Sequence, residues 1–179
     1  MKYNEFCHME IPDGDTSIYE LLGGKVIKKT PLPSIHQITS ANLIFSLGNY
    51  VHRKNIGCLL IAPLDVIFDD ENSPQPDVFF IKKEREKIIE TNGPVWGAPD
   101  LIIEVISEGT AKNDRVHKKA LYERCGVSEY WIVDPPSKSI EIYTLENQRY
   151  TLLDVFEIEG KMISVLFPDL DLDVKEVFN

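Results

Sequence analysis

No stretch of the 179-residue sequence approaches the roughly 18 consecutive apolar residues that cross a bilayer. Its first residues, Met1-Lys2-Tyr3-Asn4-Glu5, lack the apolar core of a secretory leader, so a cytoplasmic location is the default expectation. Cysteine is sparse. Cys7, Cys58 and Cys125 are scattered, odd in number and outside any Cys-x-x-Cys spacing, which argues against a disulfide framework or a structural zinc site. The four histidines, His8, His36, His52 and His117, show no His-x-x-x-His spacing, which disfavours a zinc hydrolase. Gly-x-Ser-x-Gly, Walker-type and dinucleotide-binding signatures are also missing, removing the commonest motifs of acyl and phosphate transfer. Basic charge is in deficit: 19 Lys and Arg stand against 29 Asp and Glu, a net charge of -10. Nucleic-acid binding relies on Lys and Arg displacing counterions, so any such function must rest on local clusters. Acidic residues gathered at a cation site would add to the same deficit, and the cation would offset them.

What is present suits one globular domain spanning residues 1–179, with 43% hydrophobic residues to build its core. Ile18 to Ile27 reads as a β-hairpin turning at Gly23-Gly24. From Ser34, a candidate cap, a repeat close to 3.6 residues (Ile38, Ala41, Leu43, Ile44, Leu47, Val51) predicts a long amphipathic helix ending near Arg53. Strands are predicted over 58–62, 65–68 and 77–81, then a short helix or turn over 82–90, where the alternating charges of Lys82 to Lys87 read as a solvated face. Residues 91–99 are too rich in Gly and Pro for regular structure. Asp100 opens a strand through Ile106, Asn113 or Asp114 caps a helix to Arg124 closed by Gly126, and a hairpin joins Glu129–Asp134 to Ser139–Thr144. Strands near 149–153 and 162–165 and a helix near 174–178 complete the chain. This order predicts an α/β fold with α+β character, a mixed sheet flanked by helices.

One residue stands out in this pattern. Glu104 lies in the apolar run Leu101-Ile102-Ile103-Glu104-Val105-Ile106, and strand alternation places it on one face with Ile102 and Ile106. An unpaired carboxylate there is costly to bury, so it needs a cation, an Arg or Lys partner, or a proton. Two Pro-Asp pairs offer further carboxylates. Asp100 shares the face of Glu104 but sits about 13 Å along the strand, too far to share an ion, whereas Asp77 on another strand can approach. Asp114 and Lys118, one helical turn apart, read by residue type alone as a surface ion pair. Trp96 and Trp131 read as packing residues.

In order, Gln75-Pro76-Asp77-Val78, then Pro99-Asp100-Leu101-Ile102-Ile103-Glu104-Val105-Ile106-Ser107, then Asp114, Lys118 and Tyr122, then Gly126-Val127-Ser128-Glu129-Tyr130-Trp131-Ile132-Val133-Asp134-Pro135 form a specific pattern. It resembles the Uma family, grouped with restriction endonucleases in the PD-(D/E)XK nuclease superfamily, and the likeness extends from Tyr19 to Phe178. The resemblance implies a restriction-endonuclease-like fold in which Asp77 and Glu104 match the superfamily's acidic residues and bind Mg²⁺ or Mn²⁺. The usual lysine two positions after the acidic residue is replaced by Ile106. The family's lysine is instead matched by Lys118 on the following helix, with Lys119 as second choice, and Glu20 is a further candidate carboxylate. Implied are hydrolysis of DNA phosphodiester bonds and a homodimer that cuts both strands. The alternative is a non-catalytic nucleic-acid- or protein-binding module that keeps the nuclease fold.

Overall fold

The computed structural model describes residues 1–29, 31–107, 109–158 and 160–179. The chain begins with helix α1 (Tyr3–Cys7), the hairpin β1 (Tyr19–Leu22) and β2 (Lys25–Lys28), and the long helix α2 (Ser34–Lys54). Then come β3 (Gly57–Ile61), β4 (Val66–Ile67), β5 (Val78–Lys82), a 3₁₀ turn at Lys83–Ile88, β6 (Val95–Trp96) and β7 (Leu101–Val105). A π-helical turn, Asn113–Lys118, runs directly into α3 (Lys119–Cys125), followed by β8 (Glu129–Asp134), β9 (Ser139–Glu146), β10 (Arg149–Phe156) and α4 (Val174–Val177).

Six strands form one sheet in the order β10-β9-β8-β7-β5-β3, and the sequence-based fold class is correct. Only β7 and β8 run parallel, which is why the helical segment between them must cross back over the sheet. The other neighbours are antiparallel. Alternation divides the central strands cleanly. Leu101, Ile103 and Val105 pack with α2 and α4, while Ile102 and Ile106 pack with Leu121, Tyr122 and Tyr130 on the opposite face. Each such fully buried aliphatic side chain contributes roughly 1.5–3 kcal/mol.

Local rules explain most boundaries. The β1–β2 hairpin turns at Gly23 and Gly24, with φ of 56° and 70°, the left-handed pair a two-residue turn needs. Helix α3 ends at Gly126, φ 83°. Five expectations need correction. The helical segment after β7 is already under way at Ala111, so Asn113 and Asp114 lie inside it and neither caps it. Ser34 is the first helical residue of α2 and Pro33 occupies the cap position. The buried stripe of α2 is His36, Thr39, Ser40, Leu43, Leu47, Tyr50 and Val51, whereas Ile38 faces solvent, because the first half of the helix meets a polar site. Val95–Trp96 forms a short strand paired with β4, inside the segment read as loop. Residues 162–165 form no strand: the Val165 and Leu166 N–H groups donate to the Glu129 carboxylate, leaving them unavailable to a ladder.

Candidate active site

Strand β5 is antiparallel to β7, with Val78 opposite Ile103, so extending the register by one residue sets Asp77 opposite Glu104. The pleat then aims both carboxylates at the face that carries α3. Glu104 is buried, and its Oε1 accepts hydrogen bonds from Lys118 Nζ at 3.0 Å and Tyr122 OH at 2.7 Å. Asp77 Oδ2 accepts from the Val105 N–H at 2.9 Å and pairs with His36 Nε2 at 3.1 Å. Lys118 Nζ also lies 3.3 Å from Glu20 Oε1 and 3.4 Å from Asp114 Oδ1. Glu20, on β1, is held further by the Gln75 N–H at 2.9 Å and by Lys29 at 3.3 Å.

On the π-helical turn, Asp114 and Lys118, four residues apart, share one face and are both buried. Between hairpin, sheet and this turn lies a cavity of about 60 Å³ lined by Glu20, His36, Asp77, Glu104, Asp114 and Lys118.

Electrostatics follows from burial and crowding. Burial, followed by the negative charges of Asp114, Asp77 and Glu20, pushes the Glu104 carboxyl up to about 8 despite the opposing pull of Lys118. Asp114 moves in the same direction, chiefly through burial. Burial works against Asp77 too, but the hydrogen bond from His36 and the charges of Lys29 and Lys118 outweigh it and hold that carboxyl below the usual range. Burial also opposes the charge of Lys118, yet Glu104, Glu20 and Asp114 prevail and keep the ammonium protonated.

A model for the family "Uma2: Putative restriction endonuclease" matches residues 3–175 of this chain. The chain belongs to the Uma2 family. A crystal structure from Anabaena variabilis ATCC 29413, described as that of "a putative nuclease belonging to DUF820", has the same fold as this Uma2 chain. The TM-score is 0.79, over 99% of this chain and 97% of that one, at 21% identity. No curated protein matches.

Of the residues singled out in the Uma2 sequence, Asp77, Glu104, Lys118 and Glu20 converge on the cavity. Lys119 does not: its ammonium lies 3.5 Å from the centre of the Tyr143 ring. Asp100 is engaged elsewhere by Arg85 at 2.9 Å and the Lys82 N–H at 2.9 Å. Ile106, the position at which the sequence resemblance leads to the expectation of a lysine, is a core residue. The Asp114–Lys118 pair exists but is buried, contrary to the surface reading, because the turn packs it over the sheet. Residue patterns missed His36 and Lys29. A signal for His36 does exist: His36, Thr39 and Ser40 continue the buried stripe of α2 as polar residues, and a polar patch on a buried face needs partners.

The donors suit a hard divalent ion in type and charge. Four carboxyl groups, Glu20, Asp77, Glu104 and Asp114, line the cavity with three lysines, Lys28, Lys29 and Lys118; Lys28 is paired with Asp15, so the acidic groups outnumber the two lysines that pair among them, although Glu104 holds its proton at neutral pH until a cation displaces it. Among the described residues Asp77 Oδ1 and Glu104 Oε2 accept no hydrogen bond, so each carboxylate keeps an oxygen free. Oxygen ligands of this kind suit Mg²⁺ or Mn²⁺. No three His, Cys, Asp or Glu side chains among the described residues form a ready-made ligand cage, since Lys118 lies between the carboxylates.

Proposed function

We propose that this Uma2 chain is a divalent-metal-dependent endonuclease that hydrolyses DNA phosphodiester bonds, with residues 1–179 acting as one restriction-endonuclease-like domain. The observation that carries this reading is the convergence of four carboxyl groups, Asp77, Glu104, Asp114 and Glu20, on one cavity, with Asp77 Oδ1 and Glu104 Oε2 accepting no hydrogen bond among the described residues. Asp77 and Glu104 would hold Mg²⁺ or Mn²⁺, which supplies Lewis acidity towards a phosphoryl oxygen and acidifies a bound water.

The chain's own residues have distinct parts. The Val105 N–H and His36 fix Asp77 through Oδ2 and leave Oδ1 for the ion. Tyr122 fixes Glu104 in the same manner through Oε1. Lys118, kept protonated by its carboxylates, acts as a donor that orients the attacking water and offsets charge on the phosphoryl oxygens. The lysine thus does from α3's leading turn what the superfamily does from the strand. Cleavage of both strands of a duplex requires two such sites, which a homodimer supplies.

Plasmid cleavage by purified protein with Mg²⁺ or Mn²⁺ is the test. Asp77→Ala and Glu104→Ala are each expected to lower the rate about 10²-fold or more, and cleavage unchanged in both variants overturns the assignment. The absence of a ready-made cage among the described residues favours a second reading, a binding module without catalysis. Calorimetric titration with Mn²⁺ separates the two: wild-type protein that binds no Mn²⁺ supports the binding module.

A further inference from the structure

We propose that the cavity between the β1–β2 hairpin and the outer face of α3 is the subsite for the nucleotide flanking the scissile phosphodiester, an inference that rests on the endonuclease reading. This cavity measures about 530 Å³ and shares Ile27 and Asn113 with the carboxylate cavity, so the two lie side by side. Its helical wall repeats at three- and four-residue spacing through Asn113, His117, Leu121 and Arg124, one continuous stripe.

Charge distinguishes it from its surroundings. The chain carries 29 acidic residues, yet among the described residues no Asp or Glu lines this cavity, while Lys25, His117 and Arg124 do. Arg124 is partly neutralised by Asp69 at 3.4 Å, whereas Lys25 has no ion-pair partner among the described residues. The cavity on the other side of Lys29, about 490 Å³, includes Asp77 and lacks this bias. Cationic rims with an apolar floor at Ile27 and Leu121 match one nucleotide, the phosphate held by Lys25 and Arg124 and the sugar and base lying over the aliphatic surface. A cationic groove of this kind raises local phosphate concentration beside an otherwise repulsive acidic site.

The test is fluorescence anisotropy of a short labelled single-stranded DNA, with Ca²⁺ in place of Mg²⁺, across a salt series. Lys25→Ala and Arg124→Ala are each expected to weaken binding about three- to tenfold and to lower the salt slope by about one. Lys175→Ala makes the same change in net charge on α4, at the opposite face of the sheet, and is expected to have a smaller effect. Wild-type binding with Lys25→Ala and Arg124→Ala no weaker than Lys175→Ala overturns the subsite while leaving the endonuclease reading standing. Wild-type protein that neither binds the oligonucleotide nor cleaves plasmid overturns both.

Discussion

Two buried glutamates on neighbouring parallel strands, Glu104 on β7 and Glu129 on β8, solve the same physical problem in opposite ways. Glu129 Oε1 accepts from Trp131 Nε1 at 2.6 Å and Ser164 Oγ at 2.7 Å, and its Oε2 accepts from the Val165 and Leu166 N–H groups at 3.0 and 3.1 Å. Both oxygens are closed by neutral donors, and the carboxylate pins residues 164–166 to the sheet. Glu104 has two donors on one oxygen, none among the described residues on the other, and a cavity in front of it. Burial raises the carboxyl pKa at both. A perturbed carboxylate therefore does not by itself mark a site; an open oxygen among like charges does.

Removing Lys118 sharpens that contrast most. Its ammonium stands within 3.0–3.4 Å of three carboxylates, and Lys118→Met strands them in a buried setting. Breaking such a buried pair costs about 3–5 kcal/mol. Urea unfolding is expected to show that loss, with millimolar Mg²⁺ recovering part of it by replacing the missing positive charge. A loss that Mg²⁺ leaves untouched contradicts the cluster as a cation site.

Isosteric amides at the two glutamates then trade places. Glu129→Gln replaces one acceptor by a donor facing donors, a change worth about 1–3 kcal/mol of stability, with plasmid cleavage intact once the protein is folded. Glu104→Gln resembles the protonated carboxyl that the crowded cluster already favours and takes up no proton on folding, so stability at neutral pH is expected to rise, while Mn²⁺ binding and cleavage collapse. Denaturation and calorimetry on the same two preparations decide it; equal stability losses erase the distinction.

Half of this contrast is legible in the sequence, and the other half depends on packing. Strand alternation around Glu104 identifies a carboxylate in need of a partner, and the separation of Leu101, Ile103 and Val105 from Ile102 and Ile106 into two cores follows that alternation. The rise of about 3.3 Å per strand residue explains why Asp100, although on the same face, falls outside the site. Asp114 and Lys118 show the limit. Their four-residue spacing is identical for a solvated pair and a buried one, and only the packing of the turn against Glu104 on β7 and Tyr130 on β8 decides between them. His36 and Asp77 are 41 positions apart, and no local pattern relates them. Residues 162–165 carry strand-forming side chains, but the N–H groups of Val165 and the following Leu166 go to Glu129, a competition invisible to propensity.

The pH dependence of stability isolates Glu104 most directly. Its folded carboxyl titrates near 8 against an ordinary value of 4.5, so between those values the folded protein holds a proton that the unfolded chain has lost. The resulting stabilisation is fully present below about 4.5 and disappears as pH rises through about 8, with a slope of at most about 1.4 kcal/mol per pH unit for one group. Glu129 and Asp114 shift in the same direction and add to the wild-type slope, so the informative quantity is the difference between wild type and Glu104→Gln. That difference is expected to flatten in Mg²⁺, because an ion on Glu104 competes with the proton. Urea midpoints at half-unit intervals, with and without Mg²⁺, measure it. Parallel profiles for wild type and Glu104→Gln in the absence of metal would falsify the raised carboxyl and, with it, the burial and like-charge crowding that set Glu104 apart.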